Sequence, residues 1–265
     1  MAVSSAQADF SIDLTKKDNS GNSGTGIFQE AQFQPTGTGV FDPFVRIQQT
    51  GTEAGYNTDG RPVEFQTKDE NHWTHSLALS SLGVVTRDGV DYFQFRLDIN
   101  EIGSEESQNH PEGRHLSMND FEIYLGNAPD LLGLTPGSGF GGNSVLVYDI
   151  DTADARGDAT VELNDKPGNP RHPGSGDSDM DVFIKVSDFQ GKDPSLQWVY
   201  LYSKFGVPHP SDDGFEEWSA FQGEGPTPPT PPPPAIPAPA SALLLLTGLP
   251  GLTMAWYRRR RAAQA

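Results

Sequence analysis

Asp177, Asp179 and Asp181 stand at alternate positions in "GSGDSDMDVFI". On an extended chain this spacing turns all three carboxylates to one side. Calcium takes about six to eight oxygen ligands, and such a row supplies two or three of them. The stretch is not an EF-hand loop: Val182 stands at the glycine position and Asp188 at the position of the bidentate glutamate. A solvated strand entrance gives the same pattern, with the acids outward and Met180, Val182 and Ile184 inward. "DIDTADARGD" offers a second acidic run through Asp149, Asp151, Asp154 and Asp158. No cofactor other than calcium is expected. His72 and His75 have the spacing of a helical turn, yet their segment leads into a strand, which turns the rings apart. His110 and His115 flank Glu112 among turn formers. Both pairs read as surface or loop residues.

Aromatic rings on an open sheet stack on sugars. The candidates are Trp73, Trp198, Trp218, Tyr200 and Tyr202, of which Trp198, Tyr200 and Tyr202 share one face of "WVYLYSKF". A buried core face gives the same pattern and is the preferred reading. No nucleophile elbow, phosphate loop or metalloprotease motif occurs. Cysteine is absent, which removes disulfides, thiolate metal sites and cysteine nucleophiles. No catalytic residue is assigned, and the protein is not expected to be an enzyme.

Acidic residues number 36 against 18 basic ones. Four of the basic ones are Arg258, Arg259, Arg260 and Arg261, so the chain ahead of them carries a net charge of −22. Such a surface repels phosphate backbones and excludes nucleic acid as a partner.

The elements that must position these groups read as strands. "VDYFQFRLDI" alternates Tyr92, Gln94, Arg96 and Asp98 with Phe93, Phe95, Leu97 and Ile99. "LALSSLGVV" precedes it, and the Asp-Gly of "TRDG" suits a tight hairpin. "FVRIQ", "VEFQT", "FEIYL", "SVLVYDI", "ATVEL", "DVFIKVS", "WVYLYSKF" and "FEEWSAF" are further strand candidates, separated by clusters of Gly, Pro, Asn and Asp. With no amphipathic helix of three turns, the body over residues 9–223 is expected to be all-β, an antiparallel sandwich of jelly-roll type.

The two ends differ. Residues 224–239 form a proline-rich stalk, about 43 Å long in polyproline II geometry from Pro226 to Pro239. Ala240 to Tyr257 is uncharged and leucine-rich, and eighteen helical residues span about 27 Å. A single C-terminal transmembrane helix is expected there, with Trp256 and Tyr257 at the interface. Residues 258–265 form the basic tail, whose arginines set the topology and stay cytoplasmic. The body then lies outside the cytoplasm, with membrane lipid as a partner. At the other end, residues 1–8 close on Ala6-Gln7-Ala8 and read as the remnant of a signal peptide.

The order Ile236, Pro237, Ala238, Pro239, Ala240, Ser241, then a leucine-rich segment, then terminal arginines, resembles a PEP-CTERM sorting signal of the Val-Pro-Leu-Pro-Ala variant. Ile236 stands for Val and Ala238 for Leu, and the Glu of the commoner form is missing. The resemblance covers about the last 30 residues. It implies an exosortase-type processing enzyme acting near Pro237 to Ser241, and a destination at the cell surface or in the extracellular matrix. "GYNTDG", "DGVDYFQFRLDINE", "VYLYSKFG" and "DDGFEEW" are similar to ectodomains on other proteins with such tails and bring no catalytic residues with them. The reading is an exported bacterial surface or matrix protein. The alternative is a carbohydrate- or calcium-binding module anchored by one membrane helix, with extracellular polysaccharide as the further partner.

Overall fold

The structure, a computed structural model, describes residues 8–31, 41–70, 72–101, 114–165, 178–212 and 214–222. All of them fall in the first of two compact units, Met1–Gly225; the second, Pro226–Ala265, lies outside the described residues. The signal-peptide remnant up to Gln7, the stalk, the sorting motif and the arginines lie outside as well.

The period-two pattern folds as strands. In chain order they are β1 (Phe10–Asp13), β2 (Ser20–Ser23), β3 (Gly26–Glu30), β4 (Pro43–Ile47), β5 (Thr50–Gly51), β6 (Glu53–Tyr56), β7 (Leu77–Ala78), β8 (Val84–Arg87) and β9 (Val90–Ile99). There follow β10 (His115–Gly126), β11 (Ser144–Asp149), β12 (Ala159–Asn164), β13 (Met180–Lys185), β14 (Trp198–Phe205), β15 (Ser211–Asp212) and β16 (Glu216–Ala220). The one α-helix among the described residues is α1, Val186–Phe189.

Two large sheets result. The first is ordered β1, β12, β10, β14, β6, with β11 alongside the second half of β10 and β7 alongside the start of β14. The second is ordered β2, β3, β13, β9, β16, β4, with β8 on the start of β9. A short ribbon pairs β5 with β15. Pairing is antiparallel throughout except between β1 and β12, which run parallel. The β8–β9 hairpin turns on Asp88 and Gly89 with φ of 49° and 78°, as a two-residue turn requires.

Phe93, Phe95, Leu97 and Ile99 all enter the core, as the alternation in β9 predicts. They face Met118, Phe121, Ile123 and Leu125 of β10, so the inner faces of the two sheets form one hydrophobic interior: a β-sandwich. Phe121 bridges it, its ring 5.8 Å from Phe28 and 5.2 Å from Trp218. Each such ring contributes about 1.5–3 kcal/mol by leaving water.

The expected transmembrane helix is corrected. No helix among the described residues is long and apolar enough to cross a membrane. Spanning needs about 20 consecutive apolar residues, whereas the apolar residues of the described strands alternate with polar ones and the α-helix has four residues. Ala240 to Tyr257 itself lies outside the described residues.

Candidate functional site

The acidic row does not stand open to solvent. Asp177 lies outside the described residues. Asp179 and Asp181 are buried. The Ile99 amide donates to Asp179 Oδ2 at 2.9 Å, and Gln94 Nε2 donates to Asp181 Oδ1 at 2.9 Å. Arg96 lies 3.7 Å from Asp181, whose carboxyl is pushed up by burial and pulled back by Gln94 and Arg96. Met180, Val182 and Ile184 point into the core, as expected. The second acidic run folds back on itself. Asp149 accepts from the Asp151 amide and the Thr152 hydroxyl, Asp151 from the Ala159 amide, and Asp154 from Arg156. Burial, with the neighbouring Asp158, Asp120 and Asp149 carboxylates, pushes Asp151 up to about 7.

The histidines are dispersed. His72 packs edge-on against Trp73, and His75 Nδ1 lies 2.9 Å from the Ser76 carbonyl. His110 and Glu112 lie outside the described residues, while His115 meets His209 with ring centres 5.4 Å apart. Among the described residues, no group of three or more imidazole or carboxylate side chains is arranged to hold a metal ion.

Trp198, Tyr200 and Tyr202 do share the outer face of β14, but Tyr200 and Tyr202 are covered. A loop over residues 127–143 lays Leu131, Leu134 and Phe140 across them and Tyr124, making a second small core outside the sandwich. The Tyr200 hydroxyl fastens it, donating to the Ala128 carbonyl at 2.6 Å and accepting from the Leu131 amide at 3.0 Å. Burial pushes that phenol up to about 12. Glu122 anchors the far side, accepting from the Gly137 amide at 3.0 Å and from the Tyr124 hydroxyl. Trp218 is fully buried, and Trp73 is stacked beneath the Arg46 guanidinium at 3.7 Å.

Beside this covered half, the same face stays open. A groove of about 840 Å³ crosses β1, β12, β10 and β14, walled by Phe10 on one side and by Val207 and Pro208 at the end. Its floor carries Asn119, Asp120, Thr160, Glu162 and Lys204, with Asp158 at the rim. These side chains reach the outer face because they alternate with core residues: Thr160 and Glu162 with Val161 and Leu163, Lys204 with Phe205. Between Met118 and Asp120 the pairing of β10 with β14 shifts, which brings Asn119 and Asp120 together beside Lys204. Lys204 Nζ lies 3.2 Å from Asp120 Oδ2, and Glu162 accepts from the Ser117 hydroxyl at 2.8 Å. Asn119 clips the end wall, its Oδ1 accepting from the Val207 amide at 2.9 Å.

No protein-family model, no curated protein and no solved structure matches the chain. The groove therefore has to be read from its own chemistry. Carboxylates, an amide, a hydroxyl and one ammonium line a trough whose volume lies within the ~300–1,000 Å³ usual for small-ligand sites. Such a mixture of donors and acceptors suits a polyhydroxylated ligand and disfavours an anionic one.

The sequence reading missed these residues because they are single polar positions on four separate strands. It also missed a buried group of acids: Glu53, Glu101, Asp212 and Glu216. Glu53 stands opposite Phe205 and Glu216 opposite Ile99, both facing inward from different sheets. Glu101 follows two residues after Ile99 and is buried with them. One signal was present: in "FEEWSAF", Glu216 shares the face of Trp218, so a core tryptophan implies a core glutamate.

Proposed function

We propose that this is an exported surface or matrix protein whose β-sandwich binds extracellular polysaccharide along the groove on the outer face of the first sheet. The groove carries the reading. It is an open, hydrogen-bonding trough on rigid strands, and strands hold recognition groups more tightly than loops do. The groove presents Lys204 as a donor and Asp120 and Glu162 as acceptors, an inventory that sugar hydroxyls match. Neutral or amino sugars fit better than uronates, because the floor and rim carry more carboxylates than cations. Export and sorting rest on the sequence of the tail, Ile236 to Ser241 followed by Arg258 to Arg261.

Affinity electrophoresis of the full chain against neutral, amino and uronate polysaccharides tests the binding. Retardation in a neutral or amino polymer, weakened about tenfold by Lys204→Ala, is expected. Equal mobility in every gel rejects the groove as a polysaccharide site. The C-terminal mass of the protein from its own host tests the sorting: a species ending within a few residues of Pro239 is expected.

A further inference from the structure

Phe65 stands in a conformation that its own side chain opposes. Its φ is 56°, in the left-handed region, where a Cβ crowds the following carbonyl oxygen. The other non-glycine residues with positive φ among the described ones are Asp18 and Asp88, whose short polar side chains tolerate that region. Phe65 is bulky, and it is 44% exposed. A glycine would relieve the backbone, and a polar side chain would suit the exposure.

Its neighbours hold it there from both sides. Glu64 Oε2 accepts from the Gly133 amide at 2.8 Å and from the Tyr56 hydroxyl. Gln66 and Ala54 are bonded twice: the Gln66 amide donates to the Ala54 carbonyl at 2.9 Å, and the Ala54 amide donates to Gln66 Oε1 at 3.0 Å. The Thr67 hydroxyl accepts from the Tyr56 amide at 3.3 Å. The turn is thus fixed to β6 and to the 127–143 loop, and the phenyl ring projects from a rigid base. Its centre lies 6.0 Å from that of Tyr56 and 5.6 Å from that of Tyr202, with ring planes at 76° and 59°. Neither tyrosine lies flat upon it. A ring serving only to cover Tyr56 and Tyr202 would itself be shielded from water, and this one is not.

Register places the ring at one end of the open groove. The groove crosses β1, β12, β10 and β14, and the next strand across the sheet is β6. Lys204 of the groove floor stands opposite Asp120 on one flank and opposite Ala54 of β6 on the other. Tyr202, against which Phe65 packs, precedes Lys204 by two positions on the same outward face, about 7 Å along the strand. The row from β1 to β6 measures four strand spacings, about 19 Å, which is room for several sugar rings in line.

A sugar ring has two kinds of surface. Its hydroxyls match the polar side chains of a trough, and its C–H face matches an aromatic ring. We propose that Phe65 is the stacking subsite of the groove and selects polymers of pyranose sugars with a flat C–H face, β-linked glucans and their amino-sugar counterparts, a role that rests on the groove being a polysaccharide site. Lys204, Asp120 and Glu162 take the hydroxyls of rings further along the same polymer.

Affinity electrophoresis of the full chain in gels containing hydroxyethyl cellulose, glycol chitosan or levan tests this. The first two present pyranose faces, and levan is a neutral furanose polymer without them. Retardation is expected in a pyranose gel and not in levan. Phe65→Leu keeps an apolar side chain over the tyrosines and is expected to weaken binding about tenfold, whereas Phe65→Trp keeps a flat ring and is expected to retain it. Undiminished binding by Phe65→Leu, or an equal loss in Phe65→Trp, means that the ring serves the turn alone and overturns the subsite. The groove stands without it if Lys204→Ala still weakens binding. Equal retardation in levan overturns the pyranose selection. No retardation of the natural chain in any gel rejects the groove itself, and the subsite falls with it. Should Phe65→Leu fail to fold, Phe65→Gly, which suits the φ of 56°, takes its place with the same expectation.

Discussion

The indole Nε1 of Trp218 donates to the Ser203 hydroxyl at 3.0 Å, joining β16 of one sheet to β14 of the other through the middle of the sandwich. Both residues are fully buried. Most of the interior is held by non-directional apolar contact, so a directional bond such as this one fixes how the two sheets are placed relative to each other.

Trp218→Ala is therefore expected to cost about 3–5 kcal/mol, through the cavity beside Phe121 and the stranded Ser203 hydroxyl. Ser203→Ala leaves the ring in place and is expected to cost about 1 kcal/mol. Urea denaturation of both variants measures the difference. A Trp218→Ala loss below that of Ser203→Ala contradicts the bridging role.

Tyr200→Phe removes both hydrogen bonds to the 127–143 loop, at Ala128 and Leu131, while the ring still fills its place. The expected result is about 1–3 kcal/mol of local stability lost and faster amide exchange across the loop, with the sandwich strands unchanged. Exchange that accelerates equally in β9 or β13 shows instead that the loop and the sandwich open as one unit.

Glu101 gives stability a pH dependence of definite sign. Its ordinary value is near 4.5 and its folded value about 9, so the folded chain holds a proton that the unfolded chain releases. Stability is greatest at and below the unfolded value and declines as pH rises through the window between the two. Tm is expected to fall steadily from pH 5 to pH 9, as this group removes up to about 1.4 kcal/mol of stability per pH unit. Glu101→Gln is expected to flatten the decline. A Tm that climbs over that range in the natural chain refutes the buried-acid account.

Much of the sandwich was legible in the sequence, strand by strand. The β9 alternation sorted its inner from its outer residues correctly, and the Asp-Gly of the hairpin located its turn. "VEFQT" did not become a strand: Phe65 adopts φ of 56°, and only Thr67 bridges to Ile47. There Phe65 packs against Tyr56 and Tyr202. β1, β2, β3 and β6 were missed: four or five residues are too few to show a period, and "SGNS" of β2 has no apolar residue and forms by pairing with β3. The outer faces were harder to read. Gln94, Asp98 and Asp181 look solvent-facing by alternation, yet all three are buried, with Gln94 hydrogen-bonded to Asp181. The groove and the acid cluster gather residues from strands far apart in the chain, and spacing along a sequence carries no record of such meetings.

The last strand, β16, lies inside its sheet, bonded to β9 along one edge and to β4 along the other. A pull directed along that strand loads both pairings. Hydrogen bonds on both flanks then bear the load together in shear, where an edge strand peeled outward would yield its bonds one after another. Of the strands in the second sheet, β16 is thus held from both sides, to β9 and to β4.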